Sequence, residues 1–245
     1  MLLELISSYS ARIAPGLVVA GVFLVLLPRR LIEIRIFGYI FAFILIRDAI
    51  TPLGLWWFGA GWNPWLRMNS EPAIVLTVGS ICFAVALAMN AVEPDLRKLI
   101  VWFRGNKWLA VAGGLGGAVL VFLPFIAIYA SIPITERGGP VDSAHWLALA
   151  IMCLLINFYE ETLFRGYLQG YLEAHVSAVR AALLSGFAFA LGHTFLATTV
   201  TDSPWLIAFT LYEGLIASFV RMRFGMVASV LTHGLGIFPL VAGVF

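Results

Sequence analysis

Seven strongly polar or ionisable side chains stand in the apolar C-terminal half of this 245-residue chain: Asn157, Glu160, Glu161, Arg165, His193, Glu213 and His233. A charge within a membrane span costs about 2.5 to 3.5 kcal/mol on insertion scales, so one that is retained marks a functional site by default. Glu161 and Arg165 are four residues apart and share a helical face, where their charges can pair. Glu160 lies about 100° round the same helix and is left free for chemistry. A carboxylate in that position can take a proton from water, and an imidazole can orient the water or stabilise the oxyanion formed when it attacks a carbonyl. These are the roles that peptide hydrolysis needs. The chain has no Gly-x-Ser-x-Gly nucleophile elbow, and Cys82 and Cys153 fall in apolar stretches as small buried side chains rather than as partners of a histidine.

The elements that must position these groups are membrane helices. Hydrophobic residues make up 62% of the chain and charged ones 11%, against roughly 25% charged in an ordinary soluble domain. Apolar stretches of about 20 residues, the length that crosses the hydrocarbon, recur from end to end. The expected architecture is all-α, a polytopic transmembrane helical bundle of about eight spans: Ile13 to Leu27, Ile36 to Phe58, Pro72 to Met89, Trp108 to Ala130, Trp146 to Gln169, Val179 to Val200, Trp205 to Val220, and Met226 to Val244. Residues 1–245 read as a single membrane domain, with 146–245 as its motif-bearing catalytic core. Met1 to Ser10 carries Glu4 and lacks a basic start, so a retained first span is expected rather than a cleaved signal. Gly113, Gly114, Gly116 and Gly117 in the fourth span suit close helix packing. They make a poor phosphate loop. The net charge of +2 implies no nucleic-acid partner.

Arginines and lysines orient the bundle. Arg29, Arg30 and Arg35, then Arg97, Lys98, Arg104 and Lys107, then Arg180, and finally Arg221 and Arg223 fall at one end, which is expected to be cytoplasmic. The other end receives Arg12, Arg67 and Arg137, with Trp62, Trp65, Trp146 and Trp205 as interfacial anchors. Measured from the proposed cytoplasmic ends at about 1.5 Å per residue, Glu160 lies roughly 14 Å deep, His193 roughly 20 Å and His233 roughly 11 Å. One polar cavity in the cytoplasmic half is therefore expected. Arg47 and Asp48, inside the second span, are not assigned to it, and His145 and His175 read as surface residues.

The pattern Glu160-Glu161-Thr162-Leu163-Phe164-Arg165 matches a Glu-Glu-x-x-x-Arg motif, and Phe189-Ala190-Leu191-Gly192-His193 matches a Phe-x-x-x-His motif. With His233 downstream in the right order, the stretch from Tyr159 to about Gly236 resembles the CAAX protease and bacteriocin-processing (CPBP, Abi) family of intramembrane endopeptidases, including the CAAX prenyl endopeptidase. The resemblance implies an eight-helix membrane peptidase active on the cytoplasmic side, in which Glu160 and His193 activate water. It also implies an oxyanion hole formed by His233 with an asparagine four residues later. That position is Ile237, which has no donor. Asn157, three residues before Glu160 and on its face, is the candidate substitute. Glu161 and Arg165 organise the site, with Phe189 and Glu213 as possible support.

Glu160, His193 and His233 could on paper hold zinc with an open fourth position. The His-Glu-x-x-His helix is absent and the resemblance points to a glutamate mechanism, so no cofactor is favoured. The expected partners are the bilayer and a membrane-associated peptide or protein, such as a CAAX-type C-terminus or a leader peptide. The short loops point to a prokaryotic plasma membrane. The reading from another class is a non-enzymatic bacteriocin-immunity or peptide-binding and transport protein built round the same cavity.

Overall fold

The computed structural model describes residues 2–200 and 202–245. Met1, at which the expected N-terminal segment begins, lies outside them. The chain forms helix α1 (Leu2–Leu26), α2 (Ile32–Ile50), a small antiparallel hairpin of β1 (Trp56–Phe58) and β2 (Leu66–Met68), α3 (Pro72–Val92), a short α4 (Pro94–Arg97) and α5 (Lys107–Tyr129). Helix α6 (Trp146–Glu161) runs through a π-helical segment, Thr162–Leu168, into α7 (Gln169–Glu173). Then come α8 (Ala178–Gly192), a second π-helical segment (Leu196–Val200), α9 (Pro204–Phe224) and α10 (Met226–Ala242). The bundle is all-α apart from the hairpin. Among the described residues four helices are long and apolar enough to cross a membrane: Pro72–Val92, Lys107–Tyr129, Ser143–Glu173 and Pro204–Phe224. Ser10–Leu26, Ala178–Gly192 and Met226–Ala242 are apolar but shorter. Val18, Val19, Leu87, Leu120, Phe187 and Leu191 are exposed on the helix surfaces, as a lipid-facing belt requires.

Several expected boundaries change, three of them at or beside the polar cluster. The second span, expected to run to Phe58, stops as a helix at Ile50. A tight 3-10 turn over Thr51–Leu53 ends in Gly54 at φ +69°, and the aromatic run Trp56–Phe58 turns into the hairpin. A short apolar run is equally compatible with a strand, so hydropathy alone could not find this break. The sixth span loses its α-helical form at His193, which caps α8. The fifth continues four residues past Gln169, to Glu173.

The hairpin is tied to the bundle end. Gly61 N donates to Asp202 O at 2.8 Å and Trp205 Nε1 donates to Gly59 O at 3.2 Å. Trp205 is consequently buried, in contact with Phe125 and Phe209, and is no interfacial anchor. Trp62 is 73% exposed. Arg67 bonds to the carbonyls of Leu66, Leu240 and Gly139, while Arg137 donates to Ile132 O and Phe245 O and lies over the Tyr129 ring. Both are buried and serve the fold, so the basic bias toward the opposite end is stronger than the count of charges suggests. Cysteine scanning provides the check: in a variant with Cys82 and Cys153 replaced, Lys98→Cys is expected to react only from the cytoplasm and Thr135→Cys only from outside. Reversed labelling would invert the bundle.

Glycines bring α10 and its histidine into place. A Cβ on Gly114 would meet Ala228 O at 2.8 Å, and one on Gly117 would meet Thr232 Oγ1, so α5 and α10 approach as only glycine allows. This bears out close packing for those positions and for Gly113, which faces Phe224, whereas Gly116 faces open space. Gly186 and Gly214 do the same between α8 and α9.

Candidate active site

Glu161 is the hub of the buried polar network. Its Oε1 accepts from Arg165 Nη1 at 2.7 Å and from His233 Nδ1 at 2.8 Å, and its Oε2 accepts from the Ser229 hydroxyl. Arg165 uses its other nitrogens on Ser218 Oγ at 3.3 Å and Gly214 O at 2.9 Å, and its guanidinium lies 4.4 Å from the Phe189 ring centre. Both charged side chains are completely buried. The four-residue spacing thus produces the expected pair, although the chain widens into a π-helix immediately after Glu161. Such segments recur at functional sites.

Glu160, one residue earlier, has the opposite surroundings. It lines a cavity of about 170 Å³, and its carboxylate has no hydrogen bond or ion pair from any described residue. Its neighbour is saturated by three donors, whereas Glu160 is free to meet a ligand.

Phe189 organises both imidazoles. The His193 ring lies against it at 4.5 Å, tilted by 43°, and the His233 ring meets it edge-on at 5.3 Å. The hydrogen bonds of the two histidines differ in chemistry. His193 Nδ1 faces Phe189 O at 2.8 Å, and a carbonyl can only accept, so this nitrogen carries the proton and a neutral ring keeps a lone pair at Nε2. His233 Nδ1 donates to the Glu161 carboxylate, and its Nε2 lies 3.5 Å from Glu213 Oε1. As an imidazolium, His233 would donate from both nitrogens. His193 thus has an acceptor nitrogen to offer, and a doubly protonated His233 would have two donors.

The cavity brings together Asn157, Glu160, Phe189, His193, Glu213 and His233. Glu161 and Arg165 stand behind this wall. Ile237 lines the cavity as well, so the missing amide donor leaves an apolar surface where the oxyanion hole was expected. Asn157 shares the wall, and its side chain has no hydrogen bond from any described residue. Cys82 and Cys153 also reach it as free thiols. Sequence reasoning missed Ser229 and Ser218, and it left out of the cavity Arg47, which lines it. The two serines carry no signal outside the folded network. Arg47 had one, its position inside a span. Among the described residues no group of three or more His, Cys, Asp or Glu side chains is placed to hold a metal ion, so the trio considered for zinc is not assembled as one.

The depth of the cluster also shifts. Because α6 continues through the π-segment to Glu173, Glu160 stands about 20 Å from that end at about 1.5 Å per residue, level with His193 at about 22 Å along α8. The cluster therefore stands several turns from those helix ends. From it the cavity extends to Trp56, Phe58, Leu66 and Met68 of the hairpin, and no residue of the basic loops lines it.

Among curated proteins and among solved structures no match to the chain is found. Residues 142–236 match the family model described as type II CAAX prenyl endopeptidase Rce1-like. That stretch contains the Glu-Glu-x-x-x-Arg and Phe-x-x-x-His motifs, Glu213 and His233, and over it the chain is similar to that family of CAAX prenyl endopeptidases.

Proposed function

We propose that this protein is an intramembrane endopeptidase that uses Glu160 to activate water against a peptide bond of a membrane-associated substrate. The observation that carries the reading is the contrast within one helical turn: Glu161 is saturated by Arg165, His233 and Ser229, while Glu160, to which no described residue bonds, opens into a cavity shared with His193. Glu160 takes a proton from water, with His193 Nε2 accepting the water's second hydrogen to aim it. The water oxygen bonds to the scissile carbonyl carbon and the π pair moves onto oxygen. His233, backed by Glu161 and Glu213, stabilises that charge. Collapse restores the carbonyl and breaks the C–N bond, and the departing amine takes the proton from Glu160.

The largely apolar lining, with Phe43, Ile156, Leu206 and Phe209 among its members, suits a substrate segment that lives in or on the bilayer, such as a lipid-modified C-terminus or a leader peptide. That lining favours arrival by way of the bilayer. The test is proteoliposome cleavage: purified protein is incubated with a panel of lipidated and unlipidated membrane peptides, and the new C-termini are read by mass spectrometry. The same comparison in cells uses Glu160→Gln as the inactive control. A panel on which wild type and Glu160→Gln give identical termini would reject the protease.

Asn157 is the expected substitute for the missing amide donor. Asn157→Ala is expected to lower kcat by more than about tenfold, or roughly 1.4 kcal/mol, with KM little changed. Ile237→Asn, placed on the cavity wall one turn beyond His233, should recover part of that loss. Unchanged turnover in Asn157→Ala would remove it from the mechanism.

A further inference from the structure

The cavity holds its reacting groups at one end and runs along the helices from there. On α6 its wall recedes from Glu160 through Ile156 to Met152, on α9 from Glu213 through Phe209 to Leu206, and on α10 from His233 to Ile237. Each step is three or four residues, so each helix keeps one face toward the cavity. The steps run toward the N-termini of α6 and α9 and the C-terminus of α10, hence toward the same end of the bundle. Two helical turns give this apolar extension a length of roughly 11 Å. Thr210 lies along it, but its hydroxyl donates to Ile207 O at 3.2 Å.

The hairpin closes the far end. Side chains alternate along a strand, so Trp56 and Phe58 of β1 share one face with Leu66 and Met68 of β2, and all four line the cavity. Arg67, between the last two, turns away to Gly139 O and Leu240 O. This floor is fixed in place: Trp205 Nε1 and Ser203 Oγ both donate to Gly59 O, and the Tyr129 hydroxyl donates to Pro64 O. The hairpin lies outside residues 142–236, so the floor is no part of the likeness to the endopeptidase family. Volume decides what fits above it. A dry apolar cavity of about 150 Å³ takes one benzene. The whole of this one is about 170 Å³, and part of that lies beside the reacting groups. One leucine or phenylalanine side chain fills what remains, whereas an isoprenoid or acyl chain, several times longer, has no room.

We infer that the hairpin closes a specificity pocket for one bulky apolar side chain beside the scissile bond, and that any lipid chain on the substrate stays outside it, in the bilayer. The inference rests on the endopeptidase reading and narrows its substrate class to membrane peptides selected by an apolar residue rather than by a lipid. Burial of that side chain against Phe58, Met68 and Leu206 holds the adjoining carbonyl at the Glu160 end, so binding away from the reacting atoms serves to position them.

The test uses the full-length protein in proteoliposomes with a synthetic library of membrane-spanning peptides, in which one position after another carries Ala, Leu, Phe or Trp. Each peptide is made with and without a farnesyl chain, and the new termini are read by mass spectrometry. Wild type is expected to cut beside Leu or Phe with a kcat/KM tenfold or more above that beside Ala, since a single methylene in an apolar pocket discriminates by about tenfold or more. The farnesyl chain should change these values by less than about twofold. Met68→Ala, which deepens the floor, should shift the preference to Trp, and Met68→Phe, which fills it, to Ala. Phe58→Ala provides the enlargement from the other strand should a Met68 variant fail to fold. Equal rates beside Ala and Leu in wild type would overturn the inference, as would cleavage of the farnesylated peptides alone, and neither result depends on a variant. An unshifted preference in the folded variants removes the hairpin from specificity. Identical termini from wild type and Glu160→Gln across the library reject the endopeptidase reading itself, an outcome distinct from cleavage that is indifferent to the flanking side chain.

Discussion

Glu160→Gln is expected to lower turnover by about 10² to 10⁴-fold, the range general-base catalysis contributes, or roughly 3 to 5 kcal/mol in the barrier. The amide keeps the size of the side chain but cannot accept a proton from water. Because no described residue bonds or pairs with this carboxylate, the substitution breaks no contact, and the melting temperature should be no lower than that of wild type. Activity and stability are thereby separated at one position, as expected of a group held in place for a ligand rather than for the fold. His193→Ala should show a similar loss, since it removes the Nε2 lone pair that faces the same cavity. Full turnover in Glu160→Gln, measured on correctly folded protein in the same proteoliposomes, would remove it as the base.

The second large effect is on folding. Glu161→Ala leaves the fully buried Arg165 without its carboxylate and strips His233 and Ser229 of their acceptor, so a destabilisation of about 3 to 5 kcal/mol is expected together with loss of cleavage. Arg165→Ala should be comparably damaging, because it strands Glu161 and withdraws the guanidinium from Phe189, the ring on which both imidazoles rest. Removing both charges together is a different experiment. In Glu161→Leu/Arg165→Met no buried charge is left alone, and most of the lost stability should return, as it does when buried ion pairs are replaced by apolar groups of similar volume. Cleavage should not return, because His233 still lacks the carboxylate that orients it and favours its charged form. Thermal unfolding in detergent, run beside the cleavage assay, reads both arms. Single variants as stable as wild type would refute the pairing, and an active double variant would show that Glu161 and Arg165 only shape the fold.

Much of this was legible in the chain itself. Membrane residence follows from composition, since so few charges cannot cover a soluble fold of this size. The Glu161–Arg165 pair follows from a four-residue spacing that a single helix settles locally. Glu160, His193 and His233 announce themselves by the cost of keeping such groups in apolar stretches. Other features depend on elements distant in sequence. Whether Glu213 belongs to the site was decided by α9 and α10 packing until it stood 3.5 Å from His233 Nε2. The roles of the two imidazoles depend on whether Nδ1 meets a carbonyl or a carboxylate, and neither partner can be read from the histidine's own neighbourhood. The hairpin after Ile50 was hidden because an apolar run has the same hydropathy as helix or strand. Arg47 shows the same division: its sequence position declares a charge in an apolar span, while only the fold places that charge across from α6, 113 residues from Glu160, with one N–H left unused. Local spacing and the penalty for burying charge act within one element and are written in the sequence. The meeting of groups across helices depends on which small residues let those helices approach, and that is decided by the packing of the whole bundle.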